Sequence, residues 1–137
     1  MKALTLIQPW ATLVATGAKK IETRSWYTSY RGPLAIHAAK GFPAYAREFA
    51  GEVYGNPAIL PYIPLGAIVA KAYLLDVRST NYGIGLSDKE RSYGDYSPGR
   101  FAWILTNIQW LEPIPAKGAL GLWEWDEPAG ALLDGKE

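Results

Sequence analysis

No regular alternation of strands and helices runs through this chain, and that irregularity constrains its fold more than any single motif. KALTLI, residues 2–7, patterns as a short strand, and QPW follows it as a helix start. Pro9 falls at the first helical position, where its missing N–H is harmless. Trp10, Leu13 and Val14 keep helical spacing until Gly17 stops it, which predicts Trp10 in the core. KKIETRSW alternates as a strand, and GPLAIHAAK predicts another, with Leu34, Ile36 and Ala38 on one side and His37 on the other. FPAYAREFAGEVYG reads as a helix with Pro43 in its first turn, a buried stripe of Phe42, Ala46, Phe49 and Val53, and Gly55 beyond its end.

Three further strands follow, in LGAIVAKAYLLDV, RFAWILTNIQWLEPIP and KGALGLWEWD. Gly66 and the β-branched pair Ile68 and Val69 favour strand over buried helix in the first of these. Between the first two lies a polar segment, residues 79–99, too long for a plain connection in a small domain. Ser87 and Glu90 have capping-box spacing inside it, which predicts one helical turn. At least five strands without βαβ order predict an α+β domain on a closed or nearly closed small barrel, with two main helices and one long loop over a cleft. The chain's 137 residues suffice for one domain with a modest core. Residues 1–127 form that domain, and residues 128–137 read as a tail.

Composition narrows the chemistry. A net charge of +1 excludes an indiscriminate polycation, so any anion site must be local. The absence of cysteine excludes disulfides, thiol catalysis and thiolate metal sites, and fits a reducing compartment. A histidine-based metal site or triad would depend on His37 alone, which predicts no metal and no cofactor; His37 itself reads as a hydrogen-bonded structural or pocket-wall residue. No apolar run reaches the roughly 18 residues that span a bilayer, and the N-terminus lacks a signal-peptide hydrophobic region. The expectation is a cytoplasmic protein with no membrane association.

The stretch GAKKIETRSWYTSYRG, residues 17–32, concentrates polar chemistry. As a strand it places Lys20, Glu22, Arg24 and Trp26 on one face and Ile21, Thr23 and Ser25 on the other. One reading is a solvent-facing strand of paired charges. The other notes that Lys19, Lys20, Arg24 and Arg31 gather four cations among aromatics within thirteen residues. Cations neutralise phosphate and aromatic faces stack on bases, so this composition suits nucleic acid or a nucleotide. Glu22 would order the cations or accept a proton. Gln8 stands beside a helix N-terminus, where backbone donors attract anions. Ser97 and Arg100, at the end of the long loop, would reach the same face if the loop folds over it.

Gln8-Pro9-Trp10-Ala11, the G-x-K-x-x-E-x-R spacing of Gly17, Lys19, Glu22 and Arg24, then Trp26, Tyr30-Arg31-Gly32 and Ile36-His37-Ala38 make the chain resemble the ASCH domain family. GDYSPGRFAW and KGALGLWEW resemble that family's closing strands, so the resemblance spans residues 2–126. It implies a PUA-like barrel and an association with RNA. One branch of the family removes the acetyl group from acetylated cytidine with a lysine, a threonine three residues later and a glutamate from a later strand. Here the lysine position is Lys19, but Glu22 occupies the threonine position, Thr23 faces the other way, and the later strand offers only Lys71 and Asp76. A carboxylate cannot replace that hydroxyl without changing the mechanism, so the deacetylase chemistry is disfavoured. Other relatives are ribonucleases; that activity would use Lys19 and Glu22 as catalytic groups with Tyr96 or Ser97 on the facing loop.

The leading expectation is therefore an RNA-binding or nucleotide-binding domain with contacts from Gln8, Lys19, Lys20, Arg24, Trp26, Arg31, Ser97 and Arg100. An enzyme acting on RNA or a modified nucleoside is the first alternative, and a protein-interaction module, its partners unknown, is the second.

Overall fold

A computed structural model describes residues 1–129 of the protein; of the expected tail only Pro128 and Ala129 lie inside that range. Six strands form one sheet: β1 (Lys2–Leu6), β2 (Ile21–Arg24), β3 (Gly32–Ala38), β4 (Ala67–Ser79), β5 (Phe101–Pro115) and β6 (Leu122–Glu124). Their order is β2-β5-β4-β3-β1-β6, with β1 parallel to β3 and every other neighbour antiparallel. Three helices decorate it, α1 (Trp10–Ala15), α2 (Ala44–Tyr54) and α3 (Asp88–Ser92), with a 3-10 segment at Pro57–Tyr62 that the sequence pattern does not announce. The result is a mixed, curled half-barrel of the expected α+β type.

The curl has a local cause. The β4–β5 ladder shifts register three times between Ile68 and Asp76, and each irregularity bends and twists the pair. Asn107 sits in one of them with a φ of 50°, a left-handed conformation that asparagine tolerates better than most residues. The curling sheet brings β2 round towards β1, although the two strands share no ladder.

Alternation along the strands divides the core into two. Leu4, Leu6, Leu34, Ile36, Val69, Leu74, Trp103 and Leu105 face inward with Ala11 and Val14 of α1. Their neighbours Ala3, Ala35 and Ile68 form a smaller cluster with Leu111 and Trp125. Removing this apolar surface from water, at about 25 cal/mol per Å2, drives the collapse. The chain start is pinned by paired backbone bonds between Met1 and Trp125 at 2.8 and 2.9 Å.

Several local expectations change. Pro9 precedes α1 instead of opening it, and the Oε1 of Gln8 accepts the Thr12 N–H at 2.9 Å, satisfying a donor that the first turn leaves free. Pro43 is likewise the residue before α2, while Gly55 ends that helix at a φ of 67° as expected. The buried residues of α2 are Ala46 and Ala50, with Phe42, Phe49 and Val53 only partly covered, because the helix turns its aromatic side to a cleft. Ser87 caps α3, yet Glu90 does not close the capping box. Its carboxylate accepts the Lys20 N–H at 2.9 Å and so ties the long loop to the start of β2.

Candidate nucleic-acid interface

A cleft of about 750 Å3 opens where the curled sheet leaves β2 and β1 unpaired. Four segments meet there, one of them α2 with Tyr45 and Phe49. The end of β1 and the start of α1 contribute Thr5, Leu6, Ile7 and Trp10; β2 and its continuation contribute residues 22–26; and the long loop contributes residues 92–95 with Arg100. The cavity volume suits a ligand of nucleotide size.

Glu22 stands at the centre of the polar wall. Its carboxylate lies 3.5 Å from the Lys19 Nζ and 3.2 Å from the Arg24 Nε. The latter nitrogen is buried and not aligned on any acceptor, so the attraction there is coulombic and not a hydrogen bond. Arg24 instead donates through Nη2 to the Thr5 carbonyl at 2.8 Å, bridging the seam from β2 to β1. Arg100 donates to the Asp95 carbonyl at 3.0 Å and to the Thr23 carbonyl at 3.4 Å, fixing the loop on the other flank of β2. Across the cleft stands an aromatic wall. Trp10 stacks on Phe49 with centroids 5.1 Å apart and planes at 10°, and Tyr45 tilts against Trp10 at 6.3 Å. Trp26 lines the floor and meets the buried Trp103 edge-on at 4.8 Å.

The expected residues do not all converge. Glu22, Arg24, Trp26 and Arg100 line the cleft. Lys19 does not reach its surface: the side chain is 0% exposed, and its ammonium donates to the Ile21 carbonyl and faces Glu22. Lys20 is exposed; its backbone N–H donates to Glu90 and its carbonyl accepts the Leu105 N–H, so the backbone is what anchors it. Gln8 is buried and saturated, donating to the Thr12 hydroxyl and the Pro64 carbonyl, so it supports α1 and leaves no group for a ligand. Arg31 braces its own turn by bonds to the Thr28 and Tyr30 carbonyls, with Asp76 at 3.7 Å. Ser97 faces solvent outside the cleft; its N–H holds the Asp95 carboxylate at 3.0 Å.

The Ser97 side chain, followed by that backbone bond, keeps Asp95 below the usual carboxylate range, with the Arg100 charge adding to the effect. Tyr96 is pushed well above its ordinary value, first by burial and then by the negative charges of Glu90 and Glu22. Its hydroxyl and the Glu90 Oε2 are both buried without a hydrogen-bond partner. Tyr96 therefore stays protonated at neutral pH and does not serve as a base.

Sequence reasoning missed Tyr45, Phe49, Tyr93 and Asp95 as cleft residues, and it put Trp10 in the core. One part of Trp10 does pack on the core while another lines the cleft. Nothing in a helical stripe says whether its aromatic side meets a sheet or an opening. His37 is structural, as expected. Its Nε2–H donates to the Ala116 carbonyl at 2.7 Å, which leaves Nδ1 as the acceptor for the Thr5 hydroxyl at 3.1 Å. No group of three or more His, Asp or Glu side chains that could hold a metal occurs among the described residues, and no helix there is long and apolar enough to cross a membrane.

Comparison with known proteins agrees with this architecture. The chain is 30% identical over 130 residues to the human activating signal cointegrator 1 and 29% identical to the mouse protein, each match covering 90% of this chain. It spans only 22% of the length of those relatives. The crystal structure of an ASCH protein from Zymomonas mobilis superposes with a TM-score of 0.51 at 19% identity, covering 83% of this chain and 72% of that one. A point variant of the same protein also gives 0.51. These superpositions establish the fold alone. The family model described as the ASCH domain matches residues 4–115, and on that match over most of its length the chain belongs to the ASCH domain family.

Proposed function

We propose that this domain binds single-stranded RNA and holds one nucleotide in the cleft. The observation that carries the reading is the pairing of two unlike walls. Trp10, Tyr45, Phe49 and Tyr93 offer aromatic surface on one side, and Arg24 and Arg100 offer guanidinium groups on the other. Aromatic faces stack on any base, and guanidinium groups hydrogen-bond to base edges or sugar oxygens. Membership of the ASCH family supports an RNA-related role.

The test is a titration of the 15N-labelled protein with a short single-stranded RNA, read at the tryptophan indole signals. Trp10 and Trp26 shift, whereas Trp110 and Trp125, which lie outside the cleft, do not. Shifts confined to Trp110, or none, overturn the reading.

A hydrolytic reading has one observation in its favour: the Glu22 carboxylate lines the cleft beside Arg24 and Arg100, a base next to groups that stabilise a phosphorane. Lys19 would then orient Glu22 without touching the substrate. Turnover of RNA by the wild-type protein, absent in Arg100→Ala, would establish it.

A further inference from the structure

We propose that a second cavity, on the far side of Thr5 from the cleft, is a phosphate-binding subsite for the nucleotides that flank the one in the cleft. This rests on the reading of the cleft as a nucleotide site and extends it from a mononucleotide to a strand.

The cavity holds about 840 Å3 and is walled by Thr5, His37, Lys40, Leu65, Lys117 and Leu120 among others. Thr5 is the residue it shares with the cleft. β6 covers β1 only as far as Leu4, so beyond that point no strand among the described residues pairs with that edge of β1, and Arg24 bridges it at Thr5. A strand leaving the cleft can therefore cross at Thr5 without disturbing a ladder.

The distribution of charge points the same way. In the cleft, two arginines face two carboxylates, Glu22 and Asp95, and both guanidiniums are already committed to backbone carbonyls. Its two positive charges are balanced by two negative ones, so its walls carry no net positive charge to attract a phosphate. In the second cavity the charged lining residues are Lys40 and Lys117, both exposed, with no carboxylate on its walls and no ion pair to either lysine among the described residues. Two uncompensated ammonium groups within one concavity are what a phosphodiester needs.

The rest of the cavity supplies shape. Leu120 is 98% exposed and Leu65 also stands out, so apolar surface is available for a ribose or a base face. Both ring nitrogens of His37 are engaged, by the Ala116 carbonyl and the Thr5 hydroxyl. Thr5 in turn accepts the Trp123 indole N–H at 3.0 Å, so the floor is saturated. Gly118 lets the loop lie directly on that floor, since a Cβ there would come within 2.6 Å of the His37 Cε1 and 2.7 Å of the Thr5 Oγ1. The lysines are thus presented by a seated loop and by the segment that follows β3.

The experiment compares wild type, Tyr45→Ala and the double variant Lys40→Ala/Lys117→Ala. Each binds two probes across a salt series: a mixed-sequence single-stranded RNA hexamer and an equimolar mixture of the four nucleoside 5′-monophosphates. Both lysines are exposed, so the double variant keeps the fold. It is expected to lose about tenfold or more in hexamer affinity. Its slope of log K against log salt should fall by about 0.7, the amount for one single-strand phosphate. Mononucleotide binding should stay as in wild type. Wild-type hexamer affinity and slope in the double variant, with Tyr45→Ala still impaired, overturn the subsite and leave the cleft reading standing. Displacement of the hexamer from wild type by an acidic peptide of equal charge, as readily as by RNA, also overturns it. Failure of wild type to bind either probe removes both readings together.

Discussion

The Arg24 guanidinium reaches 2.8 Å across an unpaired seam to the carbonyl of Thr5, joining two strands that share no ladder. One side chain thereby does what a further strand pairing would do in a closed barrel. A hydrogen bond from a charged donor contributes about 1.5–3 kcal/mol. Arg24→Ala should cost about that much in urea unfolding and should speed amide exchange at the C-terminal end of β1. Unchanged stability would mean that the seam holds without the bridge.

Glu22 is the counter-charge of a lysine with no water around it. Removing one partner of a buried ion pair strands the other, at about 3–5 kcal/mol. Glu22→Ala should therefore lower stability by that amount, and Lys19→Met by much less, because it removes the buried charge itself. Equal losses in the two variants would contradict this. Loss of activity in a Glu22 variant is consequently interpretable only alongside its unfolding curve.

Tyr96 makes a prediction of opposite sign. Its buried hydroxyl has no partner, so Tyr96→Phe should leave stability unchanged or raise it by about 1 kcal/mol. Burial, followed by the Glu90 and Glu22 charges, raises its pKa, so the folded state holds that proton more tightly than the unfolded chain does. The Tyr96 contribution is fully present below pH 10 and is lost as pH rises towards the folded value. An ultraviolet titration should accordingly show late-ionising tyrosines, Tyr96 beside the also raised Tyr30 and Tyr54, and Tyr96→Phe should remove one tyrosine's worth of that late change.

Gly118 sits where a methyl group would meet His37 and Thr5. Gly118→Ala should cost about 1–3 kcal/mol through displacement of the loop. Loss of the slowly exchanging His37 Nε2–H signal should accompany it, since the bond to Ala116 depends on the same seating. An unperturbed imidazole signal would show that the loop yields elsewhere.

Strand parity and family spacing agreed on Glu22 and Arg24, and both face one cleft, because alternation is a local property of the backbone. They disagreed over the lysine. Lys19 belongs to the turn that leads into β2, and its burial depends on Glu22 and the Ile21 carbonyl folding round it, which no period describes. Gln8 illustrates the opposite limit. Its side chain beside a helix start invited a ligand, yet the helix itself uses that amide. The aromatic wall was illegible for a third reason: α2 turns Tyr45 and Phe49 to an opening that exists only once the long loop is in place.

Tyr45 offers the most direct test of the central claim, that the aromatic wall holds a base. It is 60% exposed and lines the cleft, so its removal leaves the core intact. The measurement is the Kd of a single-stranded RNA hexamer for wild type and Tyr45→Ala at one fixed salt concentration. Base–aromatic stacking is worth about 1–3 kcal/mol, so the variant should bind roughly 5- to 150-fold more weakly with an unchanged unfolding curve. Equal affinity in the two proteins would contradict the account.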